Sequence, residues 1–250
     1  MTGILYLIPN TLGPVGTGEA DPLLPVLPAP VQAIAAQLDY FIAENAKSAR
    51  AFLKLIANNR PLARPLQEIR ISELNIQTDA AALPSLLAPL RAGMHAGLIS
   101  EAGVPAVADP GANLVRLAHQ EGIVVKPLVG PSSLLLALMA SGLNGQSFAF
   151  HGYLPTDPAA RSKRVRMLED RSRSEKQTQL FIETPYRNLT MLEALASTCR
   201  ADTLLCVATD LTLASETVVT QPAGVWLKSI KAGKGPDIHK KPTVFLLLAA

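Results

Sequence analysis

Glu44, Glu101 and Glu183 each stand at the end of a short apolar run, after Tyr40–Ala43, Ala96–Ile99 and Gln179–Ile182. A carboxylate there can accept hydrogen bonds from a ligand's hydroxyl or ammonium groups, or take a proton in catalysis. It can equally be a solvated loop residue. Glu183-Thr184-Pro185-Tyr186-Arg187 combines a carboxylate, a phenol and a guanidinium, the makings of a substrate-side cluster. Tyr186 and Arg187 could also simply begin a helix. Gly130-Pro131-Ser132-Ser133 follows another apolar run, Ile123–Val129. Either serine suits the N-cap of a helix over 134–141, whose free N–H groups could meet a carboxylate or a ribose hydroxyl. Asp109-Pro110-Gly111 likewise reads as a helix start, with Asp109 as cap and Pro110 in the first turn.

Other chemistries find no support. There is no GxGxxG and no GxxxxGK[ST], the turns that cradle dinucleotide or ATP phosphates. His95, His119, His151 and His239 lack metal-ligand spacing and no cysteine joins them, so no metal is expected. No GxSxG elbow offers a serine nucleophile.

These residues need strands to carry them. Short apolar runs at 4–8, 40–43, 69–74, 96–99 and 123–129 alternate with helical spacing at 31–38, 47–57, 80–90 and 134–141. Thr11 to Pro30 is rich in glycine and proline and reads as loop. After a break at Asn144-Gly145, strands are expected near 148–152, 179–183, 204–209, 216–220 and 243–248, with helices at 160–173 and 186–198. The tail reads as β-rich. Alternating β and α units predict an α/β fold in two lobes, 1–146 and 147–250. In open α/β sheets, ligands bind at the carboxyl ends of the strands. That edge carries Glu44, Glu101 and the Gly130–Ser133 turn.

With 48% hydrophobic and 17% charged residues, the chain has the composition of a globular protein. Its N-terminal run is too short for a signal peptide and no stretch reaches membrane-helix length, so a cytoplasmic location is expected. Cys199 and Cys206 are expected to be buried thiols. The net charge of +3 is unevenly placed. Residues 1–150 hold 9 Lys/Arg against 10 Asp/Glu, and residues 151–250 hold 14 against 10. A phosphate-rich partner or a solvated helix face would each explain the basic second part.

The motifs, in this order, resemble the tetrapyrrole methylase superfamily of S-adenosylmethionine-dependent methyltransferases. They are LYLIPNTLG (5–13), AEN (43–45) with Arg50, SEAGVP (100–105), ADPG (108–111), GPSS (130–133), SGL (141–143), FHGYLP (150–155), ETPYR (183–187) and TDLTLASE (209–216). Within the superfamily the chain is most similar to the branch that methylates the ribose 2′-hydroxyl of a 16S ribosomal RNA cytidine. The resemblance implies two α/β lobes with S-adenosylmethionine in the cleft between them, and a homodimer. It implies cofactor contacts from Glu101, Val104, Ser132 and Ser133. Phe181, Ala208, Pro242 and Thr243 would add contacts from the second lobe. This branch usually has Asp at the position of Glu101, Asp-Thr at Asn45-Ala46 and His-Arg at Tyr186-Arg187.

The implied reaction is methyl transfer to ribosomal RNA, docked on the basic second lobe. Glu44, Glu183 and Glu216 are candidate bases, with Arg187 orienting the substrate. A tetrapyrrole or other small-molecule acceptor is the alternative, and a non-catalytic cofactor-binding relative is the third reading.

Overall fold

A computed structural model describes residues 2–16 and 21–249. Residues 17–20, part of the expected Thr11–Pro30 loop, lie outside the described residues. The chain forms two compact units, Met1–Ser132 and Ser133–Ala250.

The first unit contains β1 (Ile4–Ile8), α1 (Ala29–Ala36), β2 (Tyr40–Ala43), α2 (Ala46–Ala57), β3 (Arg70–Glu73), α3 (Leu83–Arg91), β4 (Ala96–Ile99), α4 (Ala112–Gln120) and β5 (Val124–Pro127). All strand pairings are parallel, in the order β3-β2-β4-β1-β5. Parallel strands need helical crossovers, and these cover both faces of the sheet. The strand period of two is visible in β2. Phe41 and Ala43 join Ile8, Phe52, Leu53 and Ile56 on one face. Tyr40 and Ile42 join Leu5, Leu87, Leu90 and Leu98 on the other. Buried Tyr40 keeps its hydroxyl satisfied by donating to the Leu86 carbonyl at 3.1 Å. Gly97 lets β4 pack tightly, since a Cβ there would lie 2.5 Å from Ile8 Cδ1.

The second unit contains α5 (Ser133–Ser141), β6 (Phe148–Tyr153), α6 (Pro158–Glu175), β7 (Thr178–Ile182), α7 (Asn188–Thr198), β8 (Leu204–Thr209), β9 (Thr217–Pro222), α8 (Ala223–Lys231) and β10 (Thr243–Leu248). Its sheet runs β6-β7-β10-β8-β9. Only β6 and β7 are parallel; β10 is antiparallel to both of its neighbours. Val165, Leu168, Phe181, Leu195, Trp226 and Phe245 form the core under α6, α7 and α8.

The two-lobed α/β expectation holds, with three differences. First, the sequence reading puts the break at 146/147, after α5. In the structure α5 packs on β8, β9 and β10, and the Thr220 hydroxyl donates to the Ser141 carbonyl at 2.7 Å. The helix therefore groups with the second unit. Second, the tail is not purely β: α8 follows β9 directly. Its start is held by the Ala223 and Gly224 amides, which donate to Thr203 and Ala201 carbonyls at 2.8 and 3.0 Å. Third, Asp109 does not cap a helix. The helix α4 begins at Ala112 behind Gly111, whose φ of +132° favours glycine.

Candidate active site

In the first unit the carboxyl ends of β1, β2 and β4 converge because β4 lies between the other two. The Asn10 amide nitrogen Nδ2 donates to the Ser100 and Glu101 carbonyls at 3.2 and 3.0 Å. Its backbone N–H donates to the Gly103 carbonyl at 2.8 Å, and Gly103 turns the loop at φ +68°. Asn10 thereby fixes the loop that carries Glu101 and Val104. Val104 is half-buried and Glu101 is exposed. Glu44 Oε2 accepts from the Glu101 N–H at 3.3 Å, so the two acidic residues, 57 positions apart in sequence, are neighbours.

Asp109 joins them. The loop before it is tightly wound, with Ala106 at φ +66° and Ala108 at φ +64°. Such conformations are costly for residues with a Cβ and persist where surroundings enforce them. Burial, the nearby Glu44 carboxylate and more weakly that of Glu101 push the Asp109 carboxyl up to about 6, against an opposing hydrogen bond from Ser100. Asp109 also lines a cleft of about 380 Å³ with Asn75, Thr78, Ala80 and Asn113. Sequence reasoning missed Asp109 because an Asp-Pro-Gly run is also a good helix start. No ion pair joins Glu44, Glu101 or Asp109 to a cation among the described residues. Among the described residues, the acidic groups at this edge therefore have no paired cation. Ser132 and Ser133 follow β5, and their side chains make no hydrogen bond among the described residues.

In the second unit the antiparallel arrangement brings the ends of β7 and β8 to the start of β10. Pairing sets Ile182 beside Val244, Phe181 beside Phe245, Ala208 beside Val244 and Thr209 beside Thr243. The sequence-expected Phe181, Ala208, Pro242 and Thr243 therefore lie on adjoining strands. Phe181 and Ala208 are fully buried, and the Phe181 ring stacks on Phe245 at 5.9 Å. Both lie inside the sheet, with neither side chain nor main chain open to solvent. The Thr243 hydroxyl donates to the Lys241 carbonyl at 3.0 Å and accepts from Asn188 Nδ2 at 3.1 Å. It clips the loop before β10. Pro242 is exposed, and its carbonyl accepts from the Asp210 N–H at 3.0 Å.

Glu183 is buried and spoken for. Its Oε1 accepts from the Thr184 N–H at 2.6 Å and from Arg187 Nη2 and Nε at 2.6 and 3.1 Å. A carboxylate so engaged anchors Arg187. Glu216 Oε2 accepts from the Thr212 N–H at 2.6 Å and closes its own loop. Of the three candidate bases, Glu44 is the least committed.

Taken by itself, the carboxylate edge of the first unit suits a cationic group, and Arg187 in the second unit suits an anionic or hydroxyl-rich one. The described residues include every one of the motifs quoted above. Comparison of the whole fold gives the class. The methyltransferase CobJ superposes with a TM-score of 0.61 at 17% identity, over 100% of this chain and 95% of that one. Uroporphyrin-III-C-methyltransferase from Thermus thermophilus gives 0.55 at 16%, over 99% and 93%. The fold is that of the tetrapyrrole methylases. No family model matches the sequence. Curated relatives do. Ribosomal RNA small subunit methyltransferase I of Pasteurella multocida is 31% identical over 219 residues, 88% of this chain and 70% of that protein. The protein of the same description from Escherichia coli O157:H7 is 29% identical over 92% of this chain and 72% of its own length. This chain belongs to the ribosomal RNA small subunit methyltransferase I family.

Proposed function

We propose that the chain transfers a methyl group from S-adenosylmethionine to a ribose 2′-hydroxyl of small-subunit ribosomal RNA. Family membership across 88% of the chain carries this reading. S-adenosylmethionine supplies an electrophilic methyl on a sulfonium, together with an ammonium group and ribose hydroxyls. The unpaired acidic edge of the first unit suits that positive charge. Glu101 would accept from the hydroxyls or ammonium, with Val104 beside it and Ser132 and Ser133 offering free hydroxyls. Pro242 and Thr243 would contribute contacts, and the buried Phe181 and Ala208 would set the shape of the strand edge behind them.

A ribose hydroxyl is weakly acidic, so a carboxylate near the attacking oxygen assists by taking its proton. Glu44 is our choice, because among the described residues its carboxylate accepts only one long hydrogen bond, at 3.3 Å. Arg187, held by Glu183, would orient the acceptor through a phosphate oxygen. Alignment of acceptor and donor supplies much of the acceleration.

Ribosomal RNA as substrate supports a cytoplasmic location. We also infer a homodimer: Leu135 and Met139, one turn apart on α5, are 58% and 77% exposed, an apolar strip that a second copy would cover. Light scattering on the purified chain tests this, and a monomer at micromolar concentration overturns it.

The decisive experiment maps 2′-O-methylation of ribosomal RNA in a strain lacking the gene. One small-subunit position should lose its methyl group and regain it on complementation. An unchanged map redirects the reading to a small-molecule acceptor. Calorimetry of S-adenosylmethionine with the intact protein tests the donor separately.

A further inference from the structure

Tyr186 is 72% exposed, although it sits between a buried ion pair and a helix. The short turn Pro185–Arg187 holds it there, because the Lys240 N–H donates to the Pro185 carbonyl at 3.0 Å. Lys240 makes that bond from a left-handed backbone, φ +61°. The same link sets the Lys240 ammonium over the Tyr186 ring, 5.7 Å from its centre. His239 stands edge-on to the ring at 6.4 Å. The neighbouring Lys241 is neutralised, 2.8 Å from Asp237 and 3.8 Å from Asp210. Lys240 has no acidic partner among the described residues.

An aromatic face left open to solvent, flanked by an unneutralised ammonium and an imidazole, has the composition of a nucleobase platform. Unstacked bases lie on such rings, while cations at the edge meet the phosphates on either side. A protein partner would also accept an exposed tyrosine, but the unpaired positive charge favours a polyanion. Bases within a duplex are already stacked and cannot use the ring.

We propose that Tyr186, with Lys240 and His239, forms a stacking site for an unpaired ribonucleotide, so that the chain selects single-stranded or looped RNA over duplex. This rests on the ribosomal RNA reading above and adds a specificity to it. The phenol ring of Tyr186 offers a broad face for stacking.

The test measures binding to the full chain at low salt, using a short single-stranded oligoribonucleotide and its fully paired duplex. Tyr186→Ala should weaken the single strand about tenfold, the scale of one stacked base, and leave the duplex unchanged. Tyr186→Phe should bind as the parent does, because the ring and not the phenol is used. Lys240→Ala should weaken both RNAs and make the salt dependence shallower by about one unit of log–log slope. Thermal melting of the variants confirms an intact fold. The proposal is overturned if Tyr186→Ala binds the single strand like the parent, or loses strand and duplex equally. If the parent binds no RNA at all, the ribosomal RNA reading itself fails, which is a different result.

Discussion

Asn10 and Glu101 lie 91 positions apart, yet the Asn10 side chain donates to the Glu101 carbonyl at 3.0 Å and to its neighbour Ser100 at 3.2 Å. One buried amide thus holds the loop that presents the principal acidic candidate for the cofactor. Replacing Asn10 with Ala would leave two carbonyls at the sheet edge without this donor, at a cost of about 1–3 kcal/mol. S-adenosylmethionine affinity should fall as well, since the Glu101–Val104 loop loses its anchor. Thermal melting and calorimetry measure the two effects. An Asn10→Ala protein that keeps full affinity would remove Asn10 from the site.

Asp109 gives the site a pH signature. Its carboxyl, raised to about 6 in the folded chain, binds a proton more tightly there than in the unfolded chain, where it titrates near 3.8. Between those values the folded state holds more protons, so stability falls as pH rises from about 4 to 6. Above that window the ionised Asp109 is a net burden. Asp109→Asn should flatten this part of the profile and stabilise the protein at pH 8 by on the order of 1 kcal/mol, after screening at this half-buried position. Denaturant titrations at several pH values measure it; an unchanged profile would contradict the placement of Asp109 beside Glu44.

The Glu183–Arg187 pair predicts a non-additive mutant cycle. Arg187→Ala strands a carboxylate whose side chain is 1% exposed, and should cost about 2–3 kcal/mol. Adding Glu183→Gln to Arg187→Ala should recover part of that loss. Additive losses in urea unfolding would mean that the pair is not coupled.

Phe181 separates packing from binding. Its ring faces the core, so Phe181→Ala should cost about 3–5 kcal/mol. Phe181→Leu should keep S-adenosylmethionine affinity within about twofold, because the ring lies wholly in the core. A tenfold loss with Leu would show that the ring itself matters.

The strands Tyr40–Ala43, Ala96–Ile99, Leu204–Thr209 and Thr243–Leu248 were legible because a parallel or central strand needs a continuous apolar run. Helix α8 was not, since Gly224 in its first turn lowers helix propensity. What favours the helix is tertiary: Gly224 packs against Ala201, where a Cβ would lie 3.2 Å from the carbonyl oxygen. The site was half legible. Glu44 and Glu101 stood out as carboxylates ending strands, but their pairing depends on β4 inserting beside β2. Asp109 looked like a cap, and only the φ of Gly111 moves the helix start three residues on. That Glu183 is consumed by Arg187 follows from the turn between them, which spacing alone leaves open.

The strand β10 lies in the middle of the second sheet, between β7 and β8. Those two strands are made earlier, and each waits with an open edge until Val244–Leu248 has been synthesised. Unpaired strand edges invite pairing with other chains. The first unit, complete by Ser132, can fold during translation, whereas the second gains its central strand after its other four strands have been made. A ribosome stalled short of residue 243 would therefore release a chain with one finished half and one aggregation-prone half.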